Sequence, residues 1–155
     1  MKARYILLNM AVLMGATAFT GCLGGCPDVS DMPDPLPENP IVYQTGELFT
    51  DEGTGYVTVG YGGKTYILYG QIKPQGFAKD YFYAFGDCLG YIGDDKTDLI
   101  YSLLGESTDE WLIEYSQGYY IEDLKPIPMV LREISTKGSE NIPDCVASMD
   151  NDYWK

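Results

Sequence analysis

Histidine is absent from all 155 residues. That removes every Ser-His-Asp, Cys-His and histidine-metal arrangement, because no imidazole is present to shuttle protons near neutral pH or to ligate zinc. Carboxylate, tyrosine, lysine and serine chemistry is what remains for catalysis. Positive charge is scarce as well, with 10 Lys and Arg against 23 Asp and Glu and a net charge of −13. Such a chain repels phosphate backbones, which argues against nucleic acid as a partner. A calcium loop is missing too: that motif needs acids at alternate positions and glycine at the sixth, but counting from Asp94 the third position is Lys96 and the sixth Leu99. Asp87, Asp94, Asp95 and Asp98 therefore read as a solvated acidic turn and its surroundings, and no metal or cofactor is expected.

The most informative segment present is the N-terminal one. Lys2 and Arg4 precede an almost uncharged, mostly apolar run from Tyr5 to Thr20. A membrane span needs about 20 apolar residues, whereas this run contains Asn9 and breaks into glycines, so a cleaved secretion signal fits better. It ends in Phe19-Thr20-Gly21-Cys22 and then Leu23-Gly24-Gly25-Cys26. This pattern resembles the lipobox signal of bacterial lipoproteins. The resemblance implies a diacylglyceryl group on the lipobox cysteine, with the signal cut just before it. Cys22 is the expected site because it follows the apolar run directly, and Cys26 is the alternative. Each buried acyl methylene adds about 0.8 kcal/mol, so a two-chain lipid would hold the protein at the membrane without a transmembrane helix. The expected location is thus the extracytoplasmic face of the cell membrane, reached through the N-terminal lipid. Removal of residues 1–21 takes away Lys2 and Arg4 and no acid, which lowers the charge from −13 to −15.

The chain then divides into an acidic, proline-rich stretch at 22–40, expected to be a tether, and a single domain at 41–155. The domain speaks the language of β-structure, with many of the 14 tyrosines, frequent glycines and β-branched residues. Gly62-Gly63 between two alternating runs predicts a two-residue hairpin in which Val59 faces Tyr66 and Thr58 faces Ile67, with the Val57, Val59, Tyr66 and Leu68 side as the core face. Further short strands follow: 88–92, a turn at 93–96, 99–104 and 111–115. Ser107 followed by Glu110 has capping-box form and would permit a short helix at 107–116, but Trp111, Ile113 and Tyr115 alternate as in a strand. Met129 to Ile134 reads as a last strand, placed at an edge or beginning abruptly because of Pro126 and Pro128. The expected class is mainly β, a small antiparallel barrel or sandwich with meander hairpins.

Cys88 and Cys145 are the cysteines within the domain, and on an exported chain a disulfide between them is expected. No carboxylate pair or nucleophile motif stands out, so no catalytic residue is assigned. Aromatic side chains with a flat face and a polar tip suit sugar and protein surfaces. Tyr56, Tyr69, Trp111, Tyr119 and Tyr120 are candidates where their strand faces turn outward, and the segment leading from the 70–80 loop adds Tyr81, Tyr83 and Phe85, which with Trp111 make the candidate binding surface. The functional expectation is a non-catalytic binding or envelope-structural lipoprotein whose partner is an envelope protein or glycan. A carbohydrate-binding module and a small carboxylate-dependent hydrolase are the alternatives.

Overall fold

A computed structural model describes residues 34–77, 80–116 and 127–155. The signal, Cys22, Cys26, most of the tether, Tyr119 and Tyr120 lie outside the described residues. Eight strands form one sheet: β1 (Ile41–Phe49), β2 (Gly55–Tyr61), β3 (Lys64–Ile72), β4 (Phe85–Ile92), β5 (Asp95–Leu103), β6 (Trp111–Ser116), β7 (Met129–Glu133) and β8 (Val146–Ser148). Seven of them close into a barrel in the order β1-β2-β3-β7-β6-β5-β4, and β8 adds to β3 outside the ring. Every neighbouring pair is antiparallel except β1 and β4, which close the ring in parallel through Ile41↔Gly90, Val42↔Tyr91 and Tyr43↔Ile92. Of the two expected forms, barrel or sandwich, the barrel is present, and it is mixed rather than wholly antiparallel.

The hairpin forms as the turn chemistry dictates. Gly62 and Gly63 have φ of 60° and 82°, a left-handed pair that glycine adopts without steric cost. The predicted register holds, with Val59 opposite Tyr66 and Thr58 opposite Ile67. It ends there, because β3 turns away from β2 and pairs through Gly70–Ile72 with β8 on that edge. Val57, expected in the core, is consequently 71% exposed. At 107–110 the capping signal makes a single turn, in which the Asp109 N–H donates to Ser107 Oγ and the Trp111 N–H to the Ser107 carbonyl. The chain then runs on as strand, since Trp111, Leu112 and Ile113 all find buried surroundings. β7 is neither last nor at an edge: it starts directly after Pro128 and lies between β6 and β3.

Two apolar layers hold the sheet. Tyr43, Val59, Tyr66, Ile92, Ile100, Leu112 and Leu131 form one cluster, a residue from each of the seven barrel strands, and so fill the interior. Their sequence neighbours point the other way, as strand alternation requires. Leu99, Tyr101, Trp111, Ile113 and Val130 belong to a second cluster on the outer face, joined there by Ala84, Phe85 and Val146. That face is covered by the segment between β3 and β4, by β8 and by the C-terminal turn at Asp152–Trp154. The turn is pinned where Asn151 Nδ2 and Trp154 Nε1 both donate to the Leu68 carbonyl, at 2.7 and 2.9 Å. The final residues of the expected tether also rest on the barrel, with Leu36 against the outer cluster and the Asp34 carbonyl accepting from Tyr101 OH.

Candidate functional site

Of the aromatic surface expected from the sequence, Phe85 and Trp111 are core and Tyr81 and Tyr83 are half-buried. Trp111 is fully buried, with the Tyr69 ring edge-on at 5.2 Å, and Phe85 packs against Tyr101 at 4.8 Å and Tyr115 at 5.8 Å. Tyr81 and Tyr83 are half-buried against the same layer, and Tyr83 OH donates to the Lys73 carbonyl. Tyr69, also a candidate, is buried. The reason is that β4, β5 and β6 bury both faces, so alternation along them separates two cores instead of core from solvent. In the 70–80 loop it is Phe77, beside the left-handed Gly76, that stands wholly in solvent.

Cys88 and Cys145 are free thiols rather than the expected disulfide. Both pack against the outer cluster but among different neighbours: Cys88 lies by Tyr101 and Cys145 by Lys73, Asp144 and Glu106. Burial raises both thiols above the ordinary range, which disfavours the thiolate needed for exchange.

One mouth of the barrel is open. A pocket of about 250 Å³ is walled there by Tyr43, Tyr61 and Tyr66, with Leu89 and Ile41 completing its apolar side. Tyr43 and Tyr66 rise from the interior layer, and exposed Tyr61 leans on Tyr43 at 5.5 Å. Tyr66 OH donates to the Thr108 carbonyl at 2.7 Å, and Lys64 pairs with Asp109 at 2.6 Å across the rim. Burial, with Asp109 and Glu133 nearby, pushes the Tyr66 phenol up to about 12, and burial raises Tyr43 further. Tyr43 and Tyr66 therefore stay neutral at any physiological pH. The sequence offers part of this site: the Gly62-Gly63 turn brings Tyr61 and Tyr66 together, whereas Tyr43 arrives only through the parallel seam.

A second groove, of about 450 Å³, lies under the C-terminal turn beside Arg132 and Trp154. Arg132 is 2% exposed and stacks between three rings, at 4.7 Å from Trp111 and 5.4 Å from both Tyr69 and Trp154. Glu110 pairs with it at 3.1 Å. At the other end of β6 from the mouth, Glu114 and Asp98 share the face that carries Leu112 and Ile100 into the barrel. Burial first, and then Asp98, lift the Glu114 carboxyl above the usual carboxylate range. Asp98 itself accepts from Ser116 Oγ. Among the described residues no group of three His, Cys, Asp or Glu could hold a metal.

Compared with known proteins, the chain matches no family model, no curated protein and no solved structure.

Proposed function

We propose that the protein is a lipid-anchored, extracytoplasmic binding protein that takes an uncharged ring, most simply one sugar unit of an envelope glycan, into the tyrosine-walled mouth of its barrel. The observation that carries this reading is the pocket of Tyr43, Tyr61 and Tyr66, three aromatic walls each ending in a phenol hydroxyl. Aromatic faces pack on the C–H surface of a ring while phenols and the rim ion pair serve its hydroxyls. At about 250 Å³ the pocket holds a single ring and not a chain. The cation at this cavity, Lys64, is already paired with Asp109 and the chain is acidic, which argues against a nucleic acid or another anion there. The lipobox-like signal supports the location, and Cys22 is the residue that would carry the lipid. The test is calorimetric titration of the purified protein with envelope-derived oligosaccharides. Tyr61→Ala, which removes an exposed wall, should weaken binding tenfold or more without lowering the melting temperature. Equal affinity of wild type and variant would reject the mouth as the site. Intact mass of the membrane-extracted protein tests the anchor: lipid on Cys22 is expected, and an unmodified N-terminus would reject it.

A hydrolase is the second reading, resting on Glu114 and Asp98, two carboxyls on one face of the neighbouring strands β6 and β5. Loss of glycan turnover in Glu114→Gln with binding retained would establish it over the non-catalytic reading.

A further inference from the structure

Arg132 is the one arginine beyond the signal, and its hydrogen bonds leave part of it unused. Nε donates to Thr136 Oγ1 at 2.9 Å, and Nη2 donates both to Glu110 Oε1 at 3.1 Å and to the Ser139 carbonyl at 3.2 Å. A guanidinium has five N–H donors. The two on Nη1 therefore meet no acceptor among the described residues. A sealed nitrogen of that kind is costly, but the sealed and unpaired side-chain atom among the described residues is Trp111 Nε1, not Nη1. Arg132 lines the groove under the C-terminal turn, which is the side from which a ligand would meet that edge. The rest of that groove is amphipathic. Ile142 and Met149 stand in its wall, 42% and 43% exposed, beside the Trp154 ring. Lys155 is at the rim, already paired with Asp150 and Asp152.

We propose that this groove is a second binding site, separate from the tyrosine-walled mouth, for a small organic monocarboxylate. The carboxylate takes the free Nη1 edge of Arg132, and the apolar body lies against Trp154, Ile142 and Met149. A monoanion is favoured over a phosphate because Glu110 on Arg132 and Asp150 in the groove wall already bring negative charge to the site, so each further charge on the ligand adds repulsion.

Both tryptophans of the chain, Trp111 and Trp154, flank Arg132, so intrinsic tryptophan fluorescence reports on this site. The experiment titrates the purified full-length protein with cyclohexanecarboxylate, which does not absorb at the excitation wavelength, at ionic strength held constant with chloride. A saturable change is expected. Cyclohexylmethanol, of the same shape without charge, and inorganic phosphate should each bind at least tenfold more weakly. Met149→Glu places a carboxylate on an exposed part of the wall and should reduce affinity tenfold or more with the melting temperature unchanged, which keeps the test free of the folding cost that buried Arg132→Met would bring. Equal response to the alcohol, tighter binding of phosphate, a non-saturating change, or an unaltered Met149→Glu would each overturn the proposal.

Discussion

Inside the barrel, seven side chains supply one contact per strand. Against its outer face thirteen buried side chains gather from β3 through β8, among the described residues. The outer layer is the larger and the more aromatic, with Trp111, Tyr69, Phe85, Tyr101 and Tyr115 meeting mostly edge to face. Edge-to-face pairs add about 0.5–1.5 kcal/mol each beyond area burial. The interior is mainly aliphatic and gives up its two tyrosines, Tyr43 and Tyr66, to the open mouth. A small ring can thus afford a vacancy at one end because most of the apolar burial that stabilises it happens outside.

If that is right, truncating the outer layer should hurt most. Trp111→Ala is expected to destabilise by about 3–5 kcal/mol, a large fraction of the about 5–15 kcal/mol that holds a domain folded, as measured by urea unfolding. Leu112→Ala, one residue along and facing inward, should cost less, within the usual range of about 2–5 kcal/mol for such a truncation. The reverse order would show that the interior dominates. Next comes the backbone seam. A Cβ on Gly90 would lie 1.9 Å from the Ile41 carbonyl oxygen, and one on Gly70 would lie 2.1 Å from that of Ala147. Either alanine forces strands apart and should cost about 1–3 kcal/mol. Gly90→Ala strikes the ring closure and should weaken glycan binding at the mouth, whereas Gly70→Ala loosens β8 and should perturb tryptophan fluorescence instead.

Glu114 gives a smaller, pH-dependent effect. Its pKa is raised in the folded state by burial and by Asp98, so the folded protein binds its proton more tightly than the unfolded chain does. The stability this confers is complete below the unfolded pKa and is lost as pH rises through the folded one. Glu114→Gln should therefore raise the melting temperature at pH 7 by a few degrees and leave it little changed near pH 4, in calorimetric scans. The smallest effect is expected at the mouth, where Lys64→Met breaks the ion pair with Asp109. Both partners are substantially exposed, and such pairs are worth about 0.2–1 kcal/mol.

The two layers differ also in how far the sequence discloses them. Local features were legible. Gly62-Gly63 specified the hairpin and its register, and the alternation at Trp111 to Tyr115 specified a strand against the capping signal before it. Alternation also separated Leu112 from Trp111 and Ile113 correctly, but it carries no sign: a period of two says that faces differ, not that one is wet. That is why Phe85 and Trp111 read as surface and proved to be core. Long-range pairings left no local mark. The parallel β1–β4 contact joins residues nearly fifty positions apart, and without it Tyr43 has no reason to meet Tyr66. Arg132 did leave a trace, a lone arginine in the apolar run of β7, although its three rings come from β3, β6 and the C-terminal turn.

The parallel seam has a mechanical side as well. On the anchored reading, a pull between membrane and partner would meet the domain first at Asp34 and Leu36, which rest on its outer face, and then at Ile41, where β1 begins. There β1 is held to β4 by only three residue pairs, Ile41↔Gly90 to Tyr43↔Ile92. Because the load runs along the strand axis, it shears those pairs together instead of peeling them one after another. On that reading the ring would resist up to a threshold and then open beside Tyr43, the residue that walls the mouth. Tension on the tether would in this way empty the pocket, and a bound ring that braces Tyr43 against Tyr61 and Tyr66 would raise the force at which the seam gives way.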